Sequence, residues 1–231
     1  MKKLLRWLRP RRSVADPRSL DLKPAAALDE RPLAQQRLVV VDLETSGLNL
    51  QRDQLLAIGA VVIEDGAIDL SRQFECTLCQ PGHRAGPSTL IHGIAPSAIA
   101  AGREPDKALL DFMHFVGDSP LLAFHAPFDQ HMLERALRET LGYRLLHPFL
   151  DAAVLAPLLC PNAPPYRTLD QWLQHFGLQA SERHHASADA LATAELALIL
   201  FSKARSQGID SLAELQRQAQ AWRRRTAAIT L

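Results

Sequence analysis

The spacing of apolar positions changes character at Arg37. Residues 1–36 are rich in Arg, Pro and Ala and hold no period, which predicts a basic leader and linker. Leu38 to Leu43 is a β-branched run and predicts a strand. Two more strands are expected over Gln54 to Ile63 and Ala67 to Leu78, joined at Asp65-Gly66, a strong two-residue hairpin signal. Gly and Pro are then scattered through a loop region from Pro81 to Gly102. Helical spacing appears from Pro105 to Val116, with Leu109, Met113 and Val116 on one face. A short strand is expected at Leu121 to Phe124, a helix from Asp129 to Leu141 and a last strand at Leu145 to Leu150. Thr168 caps a helix carrying Leu169, Trp172, Leu173 and Phe176, ended by Gly177. A further helix runs from near Ser187 to about Lys203. Three strands with a hairpin, then alternating helices and strands, specify an α/β domain with a mixed sheet.

The tail carries its own pattern. Ser211 and Glu214 have capping-box spacing. Leu212, Leu215, Ala219 and Trp222 follow at helical intervals, then Arg223, Arg224 and Arg225. Such a stripe predicts an amphipathic helix packed on its own domain, with docking to a protein partner as the alternative. The expected division is a leader over 1–36, a catalytic domain over 37–205 and a C-terminal amphipathic helix over 206–231.

With 231 residues and 47% hydrophobic content, the chain can bury the core of one domain plus appendages. Its net charge of +1 does not argue against nucleic acid, because holding one strand end needs no strongly basic face. Three cysteines fit a reduced, cytoplasmic protein and cannot build a disulfide framework. Cys76 and Cys79 have C-x-x-C spacing with His83 nearby, but no further zinc ligands are evident, so they read as small apolar residues at a strand end. No stretch approaches the roughly 20 apolar residues of a membrane span. The basic start, Met1 to Arg12, has its apolar run broken by Arg6, too short for a secretory signal. It reads as a solvated leader, or as an amphipathic turn touching membrane or nucleic acid.

The acidic residues add more. Asp42 and Glu44 lie two apart at the end of a strand, so both leave the same face. Two carboxylates ~5 Å apart at an effective dielectric of ~20 repel by about 3 kcal/mol, which calls for a cation. All-oxygen ligands favour a hard ion, magnesium or manganese. Asp129 and Asp189 each begin a helix whose next turns are apolar, so each is expected at the sheet-facing end. An acidic residue in a first turn is also favoured by the helix dipole alone. His184 and His185 precede Asp189, and either could be a surface residue or a general base.

Taken together, these segments resemble the DnaQ-like (DEDDh) 3′→5′ exonucleases. Asp42-Leu43-Glu44-Thr45-Ser46-Gly47 is similar to the first motif of that family, Phe124-His125-Ala126-Pro127-Phe128-Asp129 to the second, and His184-His185-Ala186-Ser187-Ala188-Asp189 to the third. Ile91-His92-Gly93-Ile94 resembles an element between the first two, and Asp151 sits where members often carry an Asp-Thr or Asp-Ser pair. The third motif's spacing selects His184 over His185. The second motif usually reads His-Asn-Ala-x-Phe-Asp; here Phe124 and His125 take the first two places, which touches the hydrogen bonds around Asp129. The resemblance covers roughly residues 37–205 and implies a ribonuclease H-like fold, a five-stranded mixed sheet flanked by helices.

It further implies two magnesium ions, replaceable by manganese, held by Asp42, Glu44, Asp129 and Asp189, with His184 as general base and nucleoside 5′-monophosphates as products. Leu43, Thr45, Gly47, Leu48, His92 and Phe128 match positions lining the slot for the terminal nucleotide, although Leu43 and Phe128 would serve equally as core. The expected substrate is the 3′ end of a single strand. A DNA exonuclease resembling the proofreading epsilon subunit of bacterial DNA polymerase III is the first reading, with a polymerase or other partner for the C-terminal helix. The tails carry no clamp-binding pattern of the Gln-x-x-Leu/Met-x-Phe type, which favours a free-standing enzyme or another partner. An RNA exonuclease of the oligoribonuclease or RNase T kind and a non-catalytic nucleic-acid-binding module are the alternatives.

Overall fold

The computed structural model describes residues 16–179 and 183–229. The basic start read from Met1 to Arg12 lies outside them. Five strands form one sheet: β1 (Leu38–Thr45), β2 (Leu55–Glu64), β3 (Ala67–Thr77), β4 (Leu121–Ala123) and β5 (Phe149–Asp151). Their order is β3-β2-β1-β4-β5. β1 runs antiparallel to β2 and parallel to β4, and β4 runs parallel to β5. The helices are α1 (Thr89–His92), α2 (Pro96–Ala100), α3 (Pro105–Val116), α4 (Ala126–Leu141), α5 (Ala152–Leu159), α6 (Leu169–His175), α7 (Ala186–Ser206) and α8 (Leu212–Ile229). This is the expected ribonuclease H-like arrangement of a mixed five-stranded sheet flanked by helices.

Strand parity sorts the core into two layers. Leu38 and Val40 of β1 face a cluster built with α5, α6, α7 and α8, including Trp172, Leu196, Leu200 and Leu215. Val39, Val41 and Leu43 face a second cluster with Leu109, Phe112 and Met113 of α3 and Met132, Leu133 and Leu137 of α4. Asp42 and Glu44 continue the first row. They therefore leave the sheet on the α7 side, at the carboxyl end of β1, where open α/β sheets place their ligands.

The hairpin turns at Asp65 (φ 52°) and Gly66 (φ 74°), both left-handed, as a tight two-residue connection requires. Several boundaries differ from those the sequence predicts. α4 starts three residues before Asp129, because Pro127 sits in its first turn, where the missing amide costs nothing. Asp189 is likewise the fourth residue of α7 rather than its start. The last strand is shorter than expected and lies at Phe149–Asp151. The sequence pattern predicts no element where α5 lies. Its apolar run (mostly buried) shows no polar face to betray a helix, and Pro157 interrupts it. Ser211 caps α8 through the Glu214 amide at 3.1 Å, but the reciprocal half of the box is absent. The Glu214 carboxylate turns to Arg217 and Gln218 instead.

Residues 16–36, within the stretch expected as leader and linker, lie against this body. Leu22 and Leu33 are buried, and the Leu33 amide donates to the Asp210 carbonyl at 3.0 Å. α8 buries Leu212, Leu215 and Ala219 against the α7 layer, so its apolar stripe is used within the chain.

Candidate active site

Three carboxylates converge above the end of β1. One oxygen each of Asp42, Glu44 and Asp189 lies within 4.8 Å of the others, the metal-ion-sized cluster found among the described residues. How α7 brings Asp189 there follows from a single glycine. Gly59 on β2 pairs across from Asp42, and Glu75 on β3 pairs across from Gly59, so the three form one row over the sheet. The start of α7 lies on this row. A Cβ at Gly59 would come within 2.1 Å of the Ala186 carbonyl carbon and 2.2 Å of the Ser187 nitrogen. Only a residue without a side chain lets the helix end approach. At the end of the row, Glu75 accepts from the Ser187 hydroxyl at 3.0 Å and pairs with His185 Nε2 at 3.3 Å.

That contact separates the two histidines. His185 is tied to the sheet edge, whereas His184 is exposed, in a left-handed conformation (φ 64°), with its amide donating to Asp189 Oδ2 at 3.0 Å. Arg183 pairs with Asp189 and with Asp170 of α6. Its side chain is 25% exposed.

Burial raises the proton affinity of Asp42 and Glu44. Glu44 is pushed up to about 7 by desolvation, with the Arg183 charge opposing. Asp42 is held well above the usual carboxylate range, first by desolvation and then by the charges of Asp129 and Glu44. Asp129 is buried and also raised, by desolvation first, with the Asp151 and Glu44 charges adding and backbone donation from Leu43 opposing. It lies outside the three-carboxylate cluster and reaches the site from the α4 layer.

The second-motif departure has a local explanation. His125 adopts the left-handed region (φ 63°), which Asn and His tolerate better than most residues. Its ring bonds the Arg167 carbonyl at 3.0 Å, and its amide donates to Asp151 at 3.0 Å. Asp151 also caps α5.

The residues expected to line a nucleotide slot are split. Thr45 is buried and donates to the Gly47 carbonyl at 2.8 Å. Gly47 packs so tightly on Asp53 that a Cβ would meet its Oδ2 at 2.5 Å. The Ser46 hydroxyl bonds Asp53 at 2.9 Å, which accounts for a hydroxyl residue there. Leu43 and Phe128 belong to the α3–α4 core layer, Leu43 fully and Phe128 in part. Leu48 is 83% exposed, and the Ser88 hydroxyl, donating to the Ser46 carbonyl, brings the α1 region to this loop. Leu90 and Ile91 are 91% and 59% exposed; Ile91 opens the Ile91–Ile94 element named above, whereas nothing in the local pattern marks Leu90. His92 is buried, its Nδ1 accepts from the Ile94 amide, and its Nε2 has no partner.

All-oxygen donors, no thiolate or imidazole among them and one guanidinium as counter-charge, fit a hard divalent ion. The cysteines stand apart: Cys76 and Cys79 contact the Thr77 and Ala100 carbonyls. No helix among the described residues is long and apolar enough to cross a membrane.

A family model described as Exonuclease, of RNase T type, matches residues 39–197. The PolC-type DNA polymerase III of Thermotoga maritima is 30% identical over 190 residues, covering 82% of this chain and 14% of that protein. A DNA polymerase III subunit epsilon-like protein of Rhodobacter capsulatus is 33% identical over 189 residues, covering 80% of this chain and 26% of its own length. The chain thus spans only a small part of these relatives. Exonuclease I of E. coli, in a complex with a dT13 oligonucleotide, superposes with a TM-score of 0.61 at 17% identity, over 75% of this chain and 42% of that one. At that identity the likeness bears on the fold.

Proposed function

The chain belongs to the RNase T exonuclease family, and on that premise we propose that it is a metal-dependent 3′→5′ exonuclease acting on single-stranded DNA ends. One observation carries the reading: Asp42, Glu44 and Asp189 crowd their oxygens within 4.8 Å at the carboxyl end of β1, a repulsive arrangement that folding alone does not reward. DNA is preferred over RNA because the curated relatives are named as DNA polymerase III proteins.

Asp42, Glu44 and Asp189 would hold one magnesium ion, and Asp42 with Asp129 a second; manganese has the same ligand preferences. When bound, the ions supply positive charge to the attacking and leaving oxygens of an in-line displacement. His184 takes the proton from the attacking water; it is the exposed histidine, while His185 is engaged by Glu75. Leu48 and the neighbouring Leu90 and Ile91 offer exposed apolar surface on which a base stacks without regard to sequence. His92 is buried and its Nδ1 accepts from the Ile94 amide, which helps hold the α1 loop beside this surface in shape. Thr45 and Gly47 shape the floor of the slot for the terminal nucleotide. The leader over 1–36 and the helix over 206–231 flank the catalytic domain in this scheme, and contact with a polymerase would use the polar side of α8, since its apolar side is buried.

The test is degradation of matched single-stranded DNA and RNA oligomers labelled at the 5′ end, with magnesium, manganese or chelator. Metal-dependent shortening from the 3′ end with release of 5′-monophosphates is expected, faster on DNA. Faster loss of the RNA would move the substrate to RNA. Binding without shortening of either would leave a nucleic-acid-binding module and end the enzyme reading.

A further inference from the structure

The β4–α4 turn that delivers Asp129 is held from a distance. Asp151, at the end of β5, stands in register with Ala123, the last residue of β4. Its side chain is 10% exposed. One carboxylate oxygen accepts from the His125 amide at 3.0 Å and the Ala153 amide at 3.1 Å. The other meets Arg223 of α8 at 2.5 Å. Two residues separate Ala123 from the start of α4, and one of them, His125, holds a left-handed backbone that a non-glycine residue keeps only when its surroundings fix it. Asp129 follows in the first turn of α4. Arg223 and Asp151 are the charged members of a groove between α4, β5 and α8 lined also by Ala126, Pro127, Gln130 and Gln220.

Building on the exonuclease reading, we propose that Arg223 is a positioning residue for this site. It clamps the Asp151 carboxylate, which fixes the His125 backbone and thereby the orientation in which α4 presents Asp129. The C-terminal helix is then part of the catalytic unit, in place of an appendage for docking. A nearly buried carboxylate stripped of its guanidinium would seek other donors, and the amide it now holds would be released.

Two readouts on the full chain test this. Amide hydrogen exchange is independent of activity: Arg223→Gln should speed exchange over 123–129, about tenfold or more at His125, while β2 and α3 stay unchanged. Unchanged protection at His125 overturns the proposal even if the protein proves not to be a nuclease. On a single-stranded DNA oligomer, Arg223→Gln should lower kcat about tenfold with KM within about twofold, since small misplacement of a catalytic group costs rate rather than binding. Arg223→Lys should recover most of that loss. Asp151→Asn should match it, and the double variant should be no worse than either alone. If Arg223→Gln instead raises KM at unchanged kcat and adds to Asp151→Asn, Arg223 touches substrate and the positioning role is wrong. A wild-type chain that hydrolyses nothing would sink the exonuclease reading while the exchange experiment still decides this one.

Discussion

The two flanks of the site handle charge in opposite ways. On the α7 flank, Asp42, Glu44 and Asp189 face one another with Arg183 as counter-ion, and their neighbourhood raises Asp42 and Glu44. On the α4 flank, Asp151 is paired with Arg223 and accepts from two amides, and the turn before Asp129 is pinned through His125. One flank accumulates negative charge that an incoming cation would relieve. The other spends its charge on holding backbone in place. Function is therefore expected to reside in what the first leaves unsatisfied, and geometry in what the second ties down.

The sharpest way to break this contrast is on the α7 flank. Asp42→Ala or Asp189→Ala should reduce exonuclease turnover on the order of 10³-fold or more and abolish the rise in melting temperature on adding magnesium. A variant that keeps full activity would remove the carboxylates from the mechanism. Gly59→Ala should do nearly as much without touching a functional group. Its methyl would overlap the backbone of Ala186 and Ser187, so α7 must shift and carry Asp189 away from Asp42. Lost magnesium response with a still-cooperative thermal transition is the expected signature; normal response would mean that α7 can be displaced harmlessly. His184→Ala comes next, with a loss of about 10²- to 10⁴-fold in turnover and an intact magnesium-induced shift. His185→Ala should affect turnover far less, and the reverse outcome would exchange their roles.

The sequence makes these two flanks legible to different degrees. Alternation along β1 was enough to place Asp42 and Glu44 on one face, and the apolar turns after Asp189 turned it to the sheet. Local signals also gave the Asp65-Gly66 hairpin and α3 with its bounds. What sequence withheld was whatever depends on partners distant in the chain. Gly59 looks like any glycine in an apolar strand, and its need to be bare arises only when α7, over a hundred residues later, lands on it. Nothing local to Arg183 or Arg223 announces the carboxylates they pair with. α5 escaped because a helix enclosed by α7 and α8 has no polar face, and period is legible only as contrast.

A subtler sharpening uses protons. Glu44 in the metal-free fold holds its proton up to about 7, above the ordinary 4.5, so the folded chain binds more protons than the unfolded one between those values. Stability of the metal-free protein should therefore fall as pH rises from about 4.5 to 7. Metal must displace that proton, so apparent magnesium affinity should rise about tenfold between pH 6 and pH 8. Melting curves with and without magnesium at several pH values check both signs. An affinity flat across this range would mean that Glu44 is ionised before metal arrives.

The smallest expected effect concerns Arg183, and its sign depends on pH. The guanidinium binds an oxygen of Asp189 that lies in the three-carboxylate cluster, so it competes with an ion for the same acceptor. It also lowers the proton affinity of Asp42 and Glu44, which helps an ion compete with protons. At pH 8, above the value of about 7 for Glu44, competition for Asp189 weighs more than competition with the Glu44 proton. Arg183→Gln should there bind magnesium about three- to tenfold more tightly, the scale of a partly exposed ion pair of about 1 kcal/mol. At pH 6 the gain should shrink or vanish, because the carboxylates hold their protons more strongly once the positive charge is gone. Asp170→Asn supplies the control, since it removes the guanidinium's other anchor and should leave Arg183 more firmly on Asp189, weakening magnesium binding. Calorimetric titration of the three proteins at both pH values reads all of this directly. Equal affinity for wild type and Arg183→Gln at pH 8 would show that Arg183 leaves Asp189 without cost, and the α7 flank would then be as free of internal competition as its crowded carboxylates suggest.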